Sequence, residues 1–325
     1  MPGDSGNTGE RRASAWSLTA LSSHLKLRDG RTWAGDRTGG MARVRRPPHT
    51  RLERALGWVD IHTHLLPGID DGPREMSAAL DIARRAAVDG TEIMVATPHQ
   101  RDVMLGSSVR HVRNLVSELN GRLRAEEEPH RPVVRVVTGM ENHIEPGLPD
   151  WVEDGRALPI ADTRFILSEP PFSSYPDYVD DVLRRLQDMR LVPIIAHPER
   201  NAVLQRDAKK VRRMVEDGML IQITAGSLLG DFGRPAQRLA EQLVRDGTAH
   251  FIASDAHRPT GARSPELTPA FRRVVELTNE ETAIELFDEN PRMLLAGREP
   301  NHDLGRSFER GAFESDRKWW RVWSR

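Results

Sequence analysis

Residues Trp58-Val59-Asp60-Ile61-His62-Thr63-His64 give the clearest indication of the fold. Its apolar and β-branched residues are typical of a buried strand, and histidines close it at the carboxyl end. Because successive side chains of a strand point to opposite faces, His62 and His64 share a face and can bind one metal ion as neutral imidazoles. Asp60 lies one step deeper on that face, and we expect it to orient a histidine rather than to bind the metal.

Six further strand-like runs follow, separated by segments with apolar residues at three- and four-residue spacing. The expected strands are Trp58–His64, Thr91–His99, Val133–Ile144, Phe165–Glu169, Val192–His197, Leu220–Ala225 and His250–His257. The expected helices are Glu75–Asp89, Val109–Glu126, Tyr178–Asp188, Ala208–Asp217 and Pro235–Arg245. Gly90, Gly218 and Gly247 follow three of these helices, and glycine is common directly after the end of a helix. The alternation predicts an α/β fold with a parallel sheet.

The two ends of the chain differ in composition from its middle. Residues 1–56 are rich in Gly, Ser, Arg and Thr without an apolar period, so we predict a flexible, disordered extension. Residues 57–298 form the expected catalytic domain. The charged tail over residues 299–325 contains Trp319, Trp320 and Trp323, which we expect to dock on the body of the protein or on a partner.

Composition excludes several classes of protein. The 325 residues carry a formal net charge of -1 and include no cysteine, which excludes phosphatases that use a cysteine nucleophile. No basic run with interleaved aromatic residues indicates a nucleic-acid partner. No apolar run approaches the roughly 20 residues needed to span a membrane, and no secretory signal is evident, so a cytoplasmic location is expected.

Residue types that bind metals recur where the expected strands end. Thr97-Pro98-His99, Gly139-Met140-Glu141, Ser168-Glu169, Ala196-His197-Pro198-Glu199-Arg200 and Ser254-Asp255-Ala256-His257 all lie at such ends. The loops after parallel strands meet at one edge of an α/β barrel, where enzymes of that architecture keep their sites. A single pair of histidines is weak evidence, but its repetition from strand to strand indicates one metal centre.

These motifs, together with Asp70-Asp71-Gly72-Pro73 and Phe287-Asp288-Glu289-Asn290-Pro291-Arg292, resemble the polymerase-and-histidinol-phosphatase (PHP) superfamily. Within it, they are most similar to the bacterial manganese-dependent protein-tyrosine phosphatases of capsule and exopolysaccharide operons. The resemblance spans about residues 58–298. It implies the PHP fold, a distorted (β/α)7 TIM-like barrel. Two departures concern the substrate pocket: Pro170-Pro171-Phe172 follows Glu169, and the loop between His257 and Arg263 is one residue longer.

The resemblance also implies a centre of three divalent ions. The first ion would be bound by His62, His64, Glu141 and Asp255, the second by Glu141, Glu169 and His197, and the third by Asp71, His99 and His257. Related histidinol phosphatases usually have histidine in place of Asp71 and Glu169, which favours the tyrosine-phosphatase branch. The other histidines are expected to be structural or solvated, although His143 shares a strand face with Glu141.

The proposed ligands suit phosphate chemistry. Three divalent ions and the four carboxylates would leave two positive charges to meet a phosphomonoester dianion. Ions close together lower the pKa of bound water, so a metal-bridging hydroxide would replace the missing cysteine nucleophile. The nitrogen and oxygen ligands suit Mn, Fe or Zn, and the choice of Mn follows from the resemblance. Arg200, Arg263 and Arg101 are the candidates for phosphate contact, because a guanidinium matches phosphate oxygens.

The sequence therefore predicts a hydrolase of phosphoric monoesters that acts on phosphotyrosine. Its expected partner is a bacterial tyrosine kinase that controls polysaccharide export. Three alternatives stay open at this point: a small-molecule phosphatase of the histidinol-phosphate type, a nuclease, and a metal-binding scaffold without activity. A nuclease would need a basic surface for its substrate, which the sequence does not indicate. An inactive scaffold would be expected to have lost metal ligands or arginines, and this chain retains them.

Overall fold

The computed structural model describes residues 57–126 and 132–301. The extension predicted over residues 1–56 and the tryptophans Trp319, Trp320 and Trp323 lie outside the described residues. The strands are β1 (Trp58–Thr63), β2 (Thr91–Ala96), β3 (Arg135–Thr138), β4 (Asn142–His143), β5 (Phe165–Glu169), β6 (Val192–Ala196), β7 (Leu220–Thr224) and β8 (Phe251–Ala253). All the pairs that these strands form are parallel. The predicted parallel α/β architecture is confirmed.

The strands form a three-stranded sheet of order β1-β2-β3 and a five-stranded sheet of order β4-β5-β6-β7-β8. The closed seven-stranded barrel implied by the resemblance is not confirmed, because the third expected strand is broken between Thr138 and Asn142, and its two halves pair with different sheets. A Cβ atom on Gly139 would lie 2.8 Å from Val95 Cγ1, so glycine is needed where the broken strand passes β2.

Two seams join the sheets at the carboxyl ends of their strands, and each contains an isolated bridge. In one seam Thr63 pairs with Ala256, beyond the end of β8. In the other His99 pairs with Glu141, beyond the end of β2. The expected strands Thr91–His99 and His250–His257 are therefore shorter than predicted. Pro98 has no N–H group to continue a ladder, and the φ of Asp255 is 54°, outside the extended region.

The helices are α1 (Met76–Asp89), α2 (Gln100–Gly106), α3 (Val109–Ala125), α4 (Leu148–Glu153), α5 (Tyr178–Asp188), α6 (Ala208–Glu216), α7 (Ala225–Leu229), α8 (Gly233–Arg245), α9 (Thr268–Leu277), α10 (Glu280–Ile284) and α11 (Asn290–Leu295). The five predicted helices correspond to α1, α3, α5, α6 and α8. The glycines predicted to end three of them, Gly90, Gly218 and Gly247, have positive φ. No helix of the described residues has the length and hydropathy needed to cross a membrane.

One buried cluster lies between the sheets and draws on both of them. Its strand members are Val59, Ile61, Val95, Phe165, Leu167, Ile194, Ala196, Leu220, Phe251 and Ala253. Burial of each valine, leucine, isoleucine or phenylalanine of this set stabilises the fold by about 1.5–3 kcal/mol. Apolar residues of α1 and α3 cover the three-stranded sheet, and those of α5, α6 and α8 cover the other. The packed interior leaves the strand ends, with their polar residues, as the place for a site.

Candidate metal centre

The first strand contributes two buried histidines that face each other. The Nε2 atoms of His62 and His64 lie 3.1 Å apart, as expected for side chains on one face of a strand. The opposite nitrogen of each ring has its own partner. His62 Nδ1 lies 3.0 Å from Gln222 Oε1, and His64 Nδ1 lies 2.8 Å from Asp70 Oδ2. These contacts orient both rings with Nε2 towards the same point, as outer partners of metal-binding histidines do.

Asp60 does not orient a histidine ring, contrary to the expectation from its place in the strand. Its Oδ1 accepts hydrogen bonds from the backbone N–H groups of His62, at 3.3 Å, and Ser254, at 3.1 Å. Its Oδ2 accepts from the Ser254 hydroxyl. Burial raises the pKa of Asp60 to about 6 against these hydrogen bonds. Asp60 therefore joins β1 to the segment after β8, while Asp70 orients the ring of His64.

Glu141 lies at the centre of the cluster and contacts four histidines. Its Oε1 is 2.9 Å from His197 Nε2 and 3.3 Å from His62 Nε2. Its Oε2 is 2.9 Å from His99 Nδ1 and 3.2 Å from His64 Nε2. Glu141 is buried, and its position in the seam beside His99 follows from the break in the third strand. A carboxylate with a different pair of histidines at each oxygen has the geometry of a bridging ligand.

Asp71, His99 and His257 meet at the outer side of the cluster. Asp71 Oδ1 lies 2.9 Å from His257 Nε2 and 3.5 Å from His99 Nε2. The next residue, Gly72, donates its N–H to Asp70 Oδ1 at 3.0 Å. A Cβ atom on Gly72 would lie only 2.2 Å from the backbone oxygen of His64, so glycine is required for this loop to bring Asp71 against the strand end.

All nine predicted metal ligands fall into four groups. Within each group, the ligand atoms lie within 4.8 Å of one another. The groups are His64, Asp71, His99 and His257; His62, His64 and Asp255; His62, Glu141 and His197; and His99, Glu141 and Glu169. The third predicted ion site, Asp71, His99 and His257, is therefore assembled with His64 as an additional neighbour. The residues predicted for the second ion are divided between two groups, with Glu141 common to both.

The buried carboxylates fit a cation. Glu141 Oε2 and both oxygens of Glu169 accept no well-directed hydrogen bond within the described residues. His143 Nδ1 lies 2.6 Å from Glu169 Oε2, at the distance of an ion pair. Buried carboxylate oxygens without donors cost stability unless a charge meets them. Nitrogen and carboxylate oxygen donors in this number suit divalent transition metals.

At His64, His99 and Glu141 electrostatic contacts outweigh burial, whereas burial lowers the pKa of His257. Burial lowers the pKa of His64, but hydrogen bonds to Asp70 and Glu141 raise it to about 9. Burial also lowers the pKa of His99, while Asp71 and Glu141 raise it to about 11. Burial raises the pKa of Glu141, yet the surrounding histidines bring it well below its usual range. The carboxylates thus favour positive charge at this place, which a bound cation would supply.

Strained backbone places three residues of the cluster. His197, Asp255 and Arg263 have φ values of 32°, 54° and 63°, in the left-handed region that residues other than glycine rarely adopt. Strain of this kind costs about 1–3 kcal/mol per residue and concentrates at functional sites. The chain leaves the extended conformation at His197, directly after β6, and at Asp255, two residues after β8.

Two of the three predicted arginines lie against the cluster. Arg200 Nη1 donates to Asp255 Oδ2 at 2.5 Å. Arg263 Nη2 donates to Asp255 Oδ1 at 3.0 Å, and its Nη1 donates to Asp71 Oδ2 at 3.3 Å. Arg101 is different: its side chain is 53% exposed and pairs with Glu145, and its ion pairs within the described residues do not reach the nine. The arginines therefore neutralise carboxylates at the edge of the centre.

The family model for capsular polysaccharide synthesis, CpsB/CapC, matches residues 58–296. The chain belongs to the CpsB/CapC family. It is 35% identical over 199 residues to the tyrosine-protein phosphatase YwqE of Bacillus subtilis, across 61% of this chain and 77% of that protein. It is 23% identical over 242 residues to the tyrosine-protein phosphatase CpsB of Streptococcus agalactiae, across 73% of this chain and 98% of that protein.

A solved structure of a related protein has a similar fold. It comes from work on YwqE from Bacillus subtilis and CpsB from Streptococcus pneumoniae, described as metal-dependent tyrosine phosphatases. Its TM-score to this chain is 0.71 with 31% sequence identity, over 78% of this chain and 100% of that chain. The resemblance inferred from the sequence motifs is confirmed at the level of the CpsB/CapC family.

Several residues around the centre were given no role from the sequence, although Phe172 was noted as a departure that concerns the substrate pocket. Gln222 and Asp70 hold the rings of His62 and His64, and Phe172 and Phe232 pack against Arg200 at 4.9 and 4.3 Å from its guanidinium carbon. Asp70 stands in the quoted Asp70-Asp71 pair, so its position next to a ligand was a usable signal. Nothing local marks Gln222, because its contact with His62 joins β7 to β1.

Proposed function

We propose that this chain is a metal-dependent protein-tyrosine phosphatase of capsular or exopolysaccharide synthesis. The observation that supports it is the cluster of nine histidines and carboxylates around the buried Glu141, in a member of the CpsB/CapC family. Relatives in that family are named tyrosine-protein phosphatases, and a cluster of this type suits hydrolysis of a phosphoric monoester.

The nine residues would hold up to three divalent ions, with Mn preferred and Fe or Zn as alternatives. Asp255 would complete the site of His62 and His64, Glu141 would bridge towards Glu169 and His197, and Asp71 would serve His99 and His257. When bound, such ions would lower the pKa of a coordinated water and neutralise charge on the phosphate. The two bridges between the sheets, Thr63 with Ala256 and His99 with Glu141, would keep these ligands close together.

Arg200 and Arg263 would recognise the phosphate. Arg200 is only 14% exposed, and its hydrogen bond to Asp255 uses Nη1. Its planar group lies near the rings of Phe172 and Phe232, which restrict its rotation. The rest of the fork would then be presented to phosphate oxygens in a fixed direction, where it stabilises charge that develops in the transition state. Arg263 contacts the other oxygen of Asp255 and would supply a second positive charge to the phosphate.

The substrate would be a phosphotyrosine protein, and a bacterial tyrosine kinase of polysaccharide export is the proposed partner. We also propose a cytoplasmic location, because the proposed partner is a bacterial tyrosine kinase. A phenol is a better leaving group than an alkyl alcohol, so the reaction makes little demand on a general acid. Arg200 and Arg263 already pair with Asp255, and a phosphate dianion would replace part of that pairing.

Turnover on a panel of substrates tests this function. The protein loaded with Mn is given a phosphotyrosine peptide, a phosphoserine peptide of the same sequence, histidinol phosphate and single-stranded DNA. We expect the phosphotyrosine peptide to be hydrolysed with the highest kcat/KM. Faster hydrolysis of histidinol phosphate would replace the proposal by a small-molecule phosphatase, and cleavage of DNA would replace it by a nuclease.

The same assay with a chelator tests the requirement for metal. Turnover should disappear when the ions are removed and return when Mn is added, whereas treatment with a thiol reagent should change nothing, because the chain has no cysteine. Glu141→Gln serves as the matched inactive variant, since it keeps the size of the side chain but lowers its charge at the centre. Full turnover after complete removal of the ions would refute the metal-dependent function.

A further inference from the structure

Phe172 is an exposed aromatic residue at the edge of the metal centre. Its side chain is 45% exposed, and its ring lies parallel to that of His197 within 6°, with centroids 5.6 Å apart. The guanidinium carbon of Arg200 lies 4.9 Å from the centroid of the same ring. Ligand sites combine a few polar groups with apolar and aromatic walls. Phe172 is therefore placed as a wall of the site, directly beside one proposed ligand and one proposed phosphate contact.

The loop that holds Phe172 is built to fix the ring. Two prolines, Pro170 and Pro171, precede it and restrict the backbone. The side-chain amide of the buried Asn201 donates to the backbone oxygens of Pro171 and of Ser174, and the backbone N–H of Ala202 donates to the oxygen of Phe172 at 2.8 Å. The loop is thus hydrogen-bonded to the segment that follows Arg200, which places the ring beside the guanidinium.

We propose that Phe172 is a specificity-determining residue that stacks on the phenyl ring of phosphotyrosine and selects aryl over alkyl phosphates. This inference rests on the proposed phosphatase function and names the residue that recognises the part of the substrate beyond phosphorus. If the phosphate contacts Arg200, the organic group esterified to it lies near Arg200 as well. Phe172 is the exposed aromatic residue beside that guanidinium. Aromatic rings attract one another at centroid distances of about 4.5–7 Å in offset or edge arrangements.

Inhibition by two phosphonates tests the proposal without any leaving group. Phenylphosphonate and methylphosphonate share the phosphonate group and differ in the ring, and their Ki values are measured on the Mn-loaded protein in competition with a phosphotyrosine peptide. Phe172→Leu keeps an apolar side chain but removes the ring. We expect it to raise the Ki of phenylphosphonate about twofold to tenfold more than that of methylphosphonate, the range of one aromatic pair. Phe172→Tyr should restore the parental difference.

Phe232→Leu is the matched control for the packing of Arg200. Phe232 lies 4.3 Å from the guanidinium carbon and is partly buried, so its loss should raise both Ki values by the same factor. Metal content and melting temperature are compared among all variants. If Phe172→Leu shifts both Ki values equally, or neither, while the parental protein hydrolyses the phosphotyrosine peptide, the inference is wrong and the function stands. If the parental protein hydrolyses no phosphotyrosine peptide, both are wrong.

Discussion

Replacing Arg200 by lysine separates charge from geometry at the edge of the metal centre. Lysine keeps the positive charge but loses the planar group that lies 4.9 and 4.3 Å from the rings of Phe172 and Phe232 and donates to Asp255 at 2.5 Å. Each cation–π contact is worth about 0.5–2 kcal/mol, of which lysine retains part. The larger effect is loss of a preoriented donor to the transition state, which lowers kcat about 10²–10³-fold, or roughly 3–4 kcal/mol.

The metal content of Arg200→Lys should stay unchanged, because Asp255 Oδ1 keeps its contact with Arg263 at 3.0 Å and lies 3.5 Å from His64 Nε2. The assay is steady-state hydrolysis of a phosphotyrosine peptide by the Mn-loaded variant, together with metal analysis of the same sample. Arg101→Lys is the control: Arg101 is exposed and pairs with Glu145, so its kcat should change less than about twofold. A parental kcat and KM for Arg200→Lys would refute the catalytic role of Arg200, and a lower metal content would show that it acts through Asp255.

Three further changes test separate parts of the centre. Asp71→Ala should remove about one ion per protein, because Asp71 is the carboxylate between His99 and His257; unchanged metal content with full activity would exclude it as a ligand. Asp70→Ala should weaken metal affinity about 10–100-fold in a competition titration, because the ring of His64 loses its partner at 2.8 Å, and parental affinity would show that Asp70 does not act through that ring. Deleting residues 1–56 should leave metal content and turnover intact, since no predicted ligand precedes His62; a folded, metal-loaded truncation that loses more than a hundredfold in turnover would contradict this.

Patterns confined to one strand or helix were predicted well from the sequence. The strand Phe165–Glu169 and the helix Tyr178–Asp188 have the bounds that their residue patterns indicate. Apolar periodicity reports which side of an element is buried, and it depends on neighbours only three or four residues away. The nine candidate ligands were found for a related reason. Eight of them lie at the ends of strand-like runs, and the carboxyl ends of parallel strands in an α/β fold meet at one edge. Asp71 was assigned through the family resemblance.

The break in the third strand was not predicted, although it creates one of the two seams. Residues 133–144 read as one continuous strand, because their pattern alone does not show that Gly139 must pass close to Val95. The tertiary structure divides this run so that one half pairs with β2 and the other with β5. Glu141 stands at the division, and its place among four histidines is a consequence of it.

The chain's sequence by itself determined the chemical class of the centre: histidines and carboxylates without cysteine, repeated at strand ends, in a member of the CpsB/CapC family. Which residues orient that centre became apparent from the packed structure alone. Asp70 takes the role expected of Asp60, Gln222 holds His62 across the interior, and Phe172 meets Arg200 through a loop attached by Asn201. The reason is physical: these partners approach one another only after the strands have paired and the interior has packed, so no local spacing encodes their contacts.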